Sequence, residues 1–168
     1  MDKVASVYSV GRDDRVVEVQ DVPHPEPGAP LPRFVFDEHE VRLLYYVGEA
    51  WRAARGLDSG QRVVACRFDG VKAVYAGPPN DEALSNHPLY ERGLRFYSAF
   101  RVEDSSWVAA LRELGWRKDA PAPRRAGPER THWIITMHDS IFECVAESVT
   151  FEISIGTMPE ASAALRST

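Results

Sequence analysis

The chain has 168 residues, 44% hydrophobic and 10% aromatic, with 20 Lys and Arg against 25 Asp and Glu for a formal charge of −5. That size and apolar content suit one substantial core, and a mildly acidic chain without a basic run offers nothing to a phosphate backbone, so nucleic acid is not an expected partner. No stretch approaches the roughly 18 apolar residues of a membrane helix, no membrane contact is expected, and the N-terminus lacks the apolar run of a secretion signal, which makes the cytoplasm the expected location.

In chain order, residues 4–10 and 15–20 read as short strands around a turn from Gly11 to Asp14. Residues 21–32 carry prolines at 23, 25, 27, 30 and 32, a density that favours an extended strap over a sheet strand. Phe34, Val35 and Phe36 then read as a buried anchor. Residues 39–47 alternate, with His39, Val41, Leu43, Tyr45 and Val47 inward, and 49–57 fit one or two helical turns stopped by Gly56 and Gly60. Residues 61–76 predict a hairpin turned at Asp69-Gly70, because glycine accepts positive φ freely. That register sets Phe68 opposite Val71, Cys66 opposite Ala73 and Val64 opposite Tyr75.

Asn80 is placed to cap a short helix through Leu84, ended before Pro88. Alternation resumes at 94–102, with Leu94, Phe96, Ser98, Phe100 and Val102 inward. A helix is predicted from Ser106 to Leu114, capped by Asp104 or Ser105 and closed by Gly115. After a charged, proline-rich loop at 118–130, residues 131–147 read as two strands about a turn centred on Asp139-Ser140. The second strand continues through Ile155, with a bulge at Glu147-Ser148 where the apolar set changes parity. Residues 157–168 read as a flexible C-terminal tail. The expected fold is mainly β: an antiparallel sandwich or partly open barrel over residues 1–156, with one short covering helix.

No phosphate loop, dinucleotide fingerprint, nucleophile elbow or HExxH motif occurs. The chemistry concentrates in the 131–147 hairpin. Its expected register gives one core face of Trp133, Ile135, Met137, Phe142, Cys144 and Ala146. The other face is mixed and carries His132, Ile134, Thr136, His138, Ile141 and Glu143. There His138 and Glu143 are diagonal neighbours, close enough to work as an acid–base pair, with Asp139 the third catalytic candidate. The structural alternative makes Asp139 a turn former and Glu143 a solvated strand position, so replacing His138 or Glu143 is expected to cost little stability.

Arg95, Tyr97 and Arg101 share a polar face and, with His87 and Thr136, are the candidate ligand contacts. His132 and His138 stand roughly 20 Å apart along one strand, too far to chelate together, and neither a metal nor a cofactor is expected. Cys66 and Cys144 fall on apolar faces and read as free buried thiols, while Trp116, beyond the helix stop, is a candidate interface residue. These features predict a small-molecule-binding or accessory protein. The alternatives are a small enzyme using a histidine–carboxylate pair and a self-associating structural module. The partner would be a small molecule or a protein, with homo-oligomers possible.

The segments His87-Pro88-Leu89-Tyr90-Glu91-Arg92-Gly93-Leu94, Glu103-Asp104-Ser105-Ser106-Trp107 and Met137-His138-Asp139-Ser140-Ile141-Phe142-Glu143-Cys144-Val145-Ala146 together resemble a group of uncharacterised small bacterial proteins. The resemblance covers residues from about 70 to 148 and implies a single domain, with neither an activity nor a ligand attached.

Overall fold

A computed structural model of the chain describes residues 10–29, 31–38, 40–114 and 129–165. The strand expected over residues 4–10 falls outside the described residues except for its last position, as do His39, Trp116 and most of the 118–130 loop. The strands are β1 (Arg15–Glu18), β2 (Arg33–Phe36), β3 (Glu40–Tyr46), β4 (Arg62–Asp69), β5 (Ala73–Gly77), β6 (Ala99–Glu103), β7 (Thr131–Thr136), β8 (Ile141–Ala146) and β9 (Ser148–Ile155). Among the described residues the α-helices are α1 (Glu49–Ala53), α2 (Ser106–Leu114) and, after the last strand, α3 (Met158–Leu165). The strands form two antiparallel sheets, ordered β1-β6-β7-β8-β5 and β2-β3-β4-β9, so the architecture is mainly β and no described helix is long and apolar enough to cross a membrane.

Two-residue alternation decides which side chains lie between the sheets. Val41, Leu43 and Tyr45 of β3 and Val64, Cys66 and Phe68 of β4 meet Ile135, Met137, Phe142, Cys144 and Ala146 from the other sheet. At the centre, the Phe142 ring stacks on Phe34 at 5.9 Å and lies against Phe68 at 5.1 Å. The outer face of the five-stranded sheet is covered too. Ile134, Ile141, Val145, Phe100 and Val102 form a second core with Trp107 and Val108 of α2 and with Leu84, Leu89 and Leu94. The mixed face of the 131–147 hairpin is therefore an interior, neither a solvated face nor an open pocket.

Three expected connections differ. Asp69-Gly70 does not turn a hairpin: β4 pairs with β3 and β9, whereas β5 pairs with β8 in the other sheet. Gly70 does take a positive φ of 64°, but it is used to step the chain from one sheet to the other. Beside it the chain crosses a second time between β8 and β9, where the Glu147 amide donates to the Asp69 carbonyl at 2.9 Å. The alternation over 94–102 also breaks. Only Ala99–Glu103 is strand, because Tyr97 takes φ 50° and turns Phe96 outward, 41% exposed.

The C-terminal segment read as a tail is α3. Thr157 and Glu160 make a capping box, the Glu160 carboxylate accepting the Thr157 amide at 2.8 Å and hydroxyl at 2.7 Å. Met158 packs on Leu44 and Val63 of the four-stranded sheet, which anchors the helix. Around Asn80 the α-helix is replaced by a capped turn and a single 3-10 turn at Leu84–Asn86.

The centre of the sandwich is the place where packing is least forgiving. Phe142→Ala removes a fully buried ring held between two others and should cost about 3–5 kcal/mol, read from the shift of a urea unfolding midpoint.

Candidate functional site

The 131–147 hairpin turns one residue earlier than its sequence suggests. Met137 N–H donates to the Ser140 carbonyl at 3.0 Å, so His138 and Asp139 are the central pair. Neither has a positive φ, which avoids the left-handed geometry that Asp139-Ser140 would have needed. Every cross-strand partner moves by two residues, with Thr136 opposite Ile141, Ile134 opposite Glu143 and His132 opposite Val145. Side chains keep their faces, but the histidine diagonal to Glu143 becomes His132 instead of His138. The expected His138–Glu143 pair is not formed.

Glu143 is 1% exposed and is held by two imidazoles. The Leu89 amide donates to His87 Nδ1 at 3.1 Å, which places the ring proton on Nε2, where it is donated to Glu143 Oε1 at 3.0 Å. From the opposite side, His132 Nε2 donates to Glu143 Oε2 at 2.9 Å. His132 Nδ1 meets Ser105 Oγ at 3.0 Å, and that oxygen also accepts the Val108 amide at 3.3 Å as the cap of α2. Trp107 closes over His132 edge to face at 5.0 Å. Burial alone would raise the carboxyl pKa, but hydrogen bonds from His132 and His87 overcome it and hold it down at about 2. This network is a strut between β8, β7, α2 and the segment around His87. It replaces the solvated position expected for Glu143 and the ligand contact expected for His87.

His138 has different company at the rim. Its Nδ1 donates to Asp81 Oδ2 at 2.7 Å, the Tyr97 hydroxyl donates to the same oxygen, and the Asp81 amide donates to the His138 carbonyl at 2.9 Å. Asp139 stands off, its carboxylate 3.9 Å from His138 Nε2. The Tyr97 and Asp81 partnerships have electrostatic consequences. The hydrogen bond to Asp81 raises the His138 pKa above its ordinary value. Hydrogen bonds from Tyr97 and His138 lower that of Asp81, and burial together with Asp81 pushes the Tyr97 phenol up to about 12.

From Tyr97 an aromatic ledge runs outward. Phe96 lies 6.4 Å from Tyr97 and 6.3 Å from Tyr90, ring to ring, and the Arg95 guanidinium covers Tyr90 at 5.0 Å. Thr136, expected as a ligand contact, is buried instead. Its hydroxyl donates to the Arg95 carbonyl at 2.8 Å and accepts the Ser98 amide at 3.1 Å, which pins the kink that displays Phe96. Arg101 is spent on Glu103 at 3.0 Å along β6.

Of the expected site residues, then, Tyr97 and His138 meet at Asp81, which reads in sequence only as an acid in a capped turn. Arg95 is linked to them only through the Tyr90 and Phe96 rings. Both cysteines are buried and free. Burial pushes the Cys66 thiol up to about 12 and Cys144 well above the ordinary thiol value, so neither suits a nucleophile. Among the described residues no group of three or more His, Cys, Asp or Glu is placed to hold a metal ion. No protein-family model matches the chain, and no curated protein and no solved structure matches it.

Two measurements separate strut from rim. Glu143→Gln puts amide hydrogens against an imidazole donor in a dry interior and should cost about 3 kcal/mol, whereas His138→Ala should leave the melting temperature nearly unchanged. The folded-state pKa of Glu143 is depressed, so its stabilisation is complete above about 4.5 and is lost as pH falls through about 2. At the rim the signs oppose. The His138 contribution is present below the ordinary histidine value and lost as pH rises through its raised one, and that of Asp81 is lost as pH falls through its lowered one. In an NMR titration, Asp81→Asn should bring the His138 midpoint down toward the ordinary value.

Proposed function

We propose that this is a cytoplasmic binding or accessory protein that holds a small molecule against the ledge of Tyr90, Arg95, Phe96, Tyr97 and His138. The observation that carries this reading is the outward Phe96. A large apolar ring 41% exposed, between two further aromatics, follows from a backbone kink at Tyr97 that a buried Thr136 holds in place. Positive φ in a bulky residue is strained, and such strain persists where the surroundings impose it and often where a surface is put to use. Aromatic rings beside an arginine supply large contact area at small entropic cost, the composition of energetically dominant binding residues. His138 adds a polar grip, because Asp81 occupies only its Nδ1 and the side chain is part-exposed, with Asp139 3.9 Å from Nε2.

A small acid–base enzyme is the second reading, and the Asp81–His138 hydrogen bond favours it. A carboxylate on Nδ1 orients the ring and raises the basicity of Nε2. The base of the pair would be His138 with Asp81, in place of the Glu143 and Asp139 suggested by spacing. Activity on any substrate should then follow the His138 titration and fall in Asp81→Asn.

A thermal-shift screen of metabolite-like compounds, followed by NMR mapping, tests the binding reading. Compounds that raise the melting temperature should move the resonances of Phe96, Tyr97 and His138. Phe96→Ala and His138→Ala should each abolish the ligand-induced shift while barely changing the melting of the free protein. Hits that keep their full effect in both variants would sink it.

A further inference from the structure

The four terminal strands of the two sheets are not equally guarded. A sheet edge exposes unpaired amides and carbonyls, and proteins blunt such edges with short strands, charges or prolines. In this chain β1 is four residues long and carries Arg15 and Glu18. β2 is four residues long and follows Pro32. β5 lies between Lys72 and the pair Pro78-Pro79. The outer edge of β9 has none of these. It is eight residues long, Ser-Val-Thr-Phe-Glu-Ile-Ser-Ile, with no proline or basic residue and one charge, Glu152. Among the described residues no strand pairs with it on that side.

The side chains of β9 are as unfinished as its backbone. Val149 and Ile153 pack partly against the sandwich interior. Phe151, edge to face with Trp51 at 6.4 Å, remains 38% exposed, and Ile155 is 72% exposed. The apolar stripe of the core thus runs along β9, and among the described residues its end at Ile155 is left open. Ser148, Thr150, Glu152 and Ser154 alternate with it on the outer face.

We propose that β9 pairs antiparallel with β9 of a second copy of this chain, joining two four-stranded sheets into one sheet of eight strands across a two-fold axis. The axis must stand perpendicular to the sheet to keep both stripes on one face, which limits the registers to those centred on a residue. Two of these use nearly the whole strand. Centring on Glu152 sets two carboxylates directly opposite, which is unfavourable. Centring on Phe151 sets Phe151 against its symmetry mate, Val149 opposite Ile153, Glu152 opposite Thr150 and Ser148 opposite Ser154. Only the second leaves no like charges facing, and it continues the apolar stripe unbroken across the axis. The geometry is that of strand addition to a sheet edge. It is independent of the ledge, which belongs to the other sheet.

The register makes Thr150 the diagnostic position, and its exposed side chain on the outer face leaves the core untouched. Sedimentation velocity of the full chain from about 1 to about 500 µM should show a reversible monomer–dimer equilibrium in that range. Thr150→Glu places a second carboxylate opposite Glu152 at two symmetric sites and should weaken the dimer about tenfold, whereas Thr150→Lys makes two opposite-charge pairs and should preserve or tighten it. Far-UV spectra and melting confirm that both variants fold. A wild-type chain that stays monomeric throughout overturns the proposal, whatever else binds the edge. Equal effects of the Glu and Lys substitutions, or dimers unaffected by either, overturn it as well.

Discussion

A carboxylate buried at the level of Glu143 has to be answered by donors on every side, and that requirement organises half of the molecule. Its two oxygens draw in His132 from the neighbouring strand and His87 from a segment more than fifty residues earlier in the chain. Each histidine is oriented in turn by its other nitrogen, through the Leu89 amide or Ser105. Because Ser105 also caps α2, one charge fixes the helix and the 84–94 segment over the five-stranded sheet. Hydrophobic contacts beneath them are non-directional and would tolerate sliding; the hydrogen bonds are what define one arrangement. The ledge at Tyr90 to Tyr97 is downstream of this geometry, since it is carried by the segment that His87 ties down.

The second organising device is the corner where two strands change sheets together. Asp69 pairs with Ser148, and the next register pair is Ala73 with Val145. Three residues on one strand therefore face two on the other, a bulge that reverses which face looks inward and bends the ladder. The reversal falls on the β8–β9 strand, where even positions (Cys144, Ala146) point into the sandwich before the corner and odd ones (Val149, Ile153) after it. β4 and β5 keep their parity, with Phe68 inward and Ala73 and Tyr75 in the outer core. Sheets that share such strands cannot drift apart as separate layers. A Cβ on Gly70 would meet the Glu147 side chain at 2.4 Å and push it aside, but the firmer demand for glycine there is its positive φ of 64°.

Much of this was legible from alternation alone. The inward sets of β3, of the 131–147 hairpin and of β4 are those the two-residue period picks out, and Ser106 to Leu114 is helical as its cap and spacing indicate. What alternation does not encode is which strand lies next to which. Asp69-Gly70 carries the local signature of a hairpin, and the choice between hairpin and corner depended on the distant β9. The turn at His138-Asp139 differs by one position from Asp139-Ser140, a small error in backbone terms. It exchanged His132 for His138 beside Glu143 and so moved the whole candidate site. Phe96 departs from its alternation for a similar reason, since nothing local announces a left-handed tyrosine. The capping box at Thr157 and Glu160, by contrast, stands in the sequence, and it is the local signal that distinguishes α3 from the flexible tail expected there.

The pairing of β4 with β9 joins residues as far apart in the chain as Arg62 and Ile155, and β8 lies between β7 and β5 in the larger sheet. Few of the contacts that close the sandwich are local, which is the condition for slow folding, because long loops must be closed before their ends are rewarded. During synthesis the consequence is sharper. Until residues 141–155 have emerged, β4, β5 and β7 each lack a neighbour and Phe68 lacks the ring that covers it. Strand edges left open until those residues are made are the surfaces through which a partly folded chain aggregates.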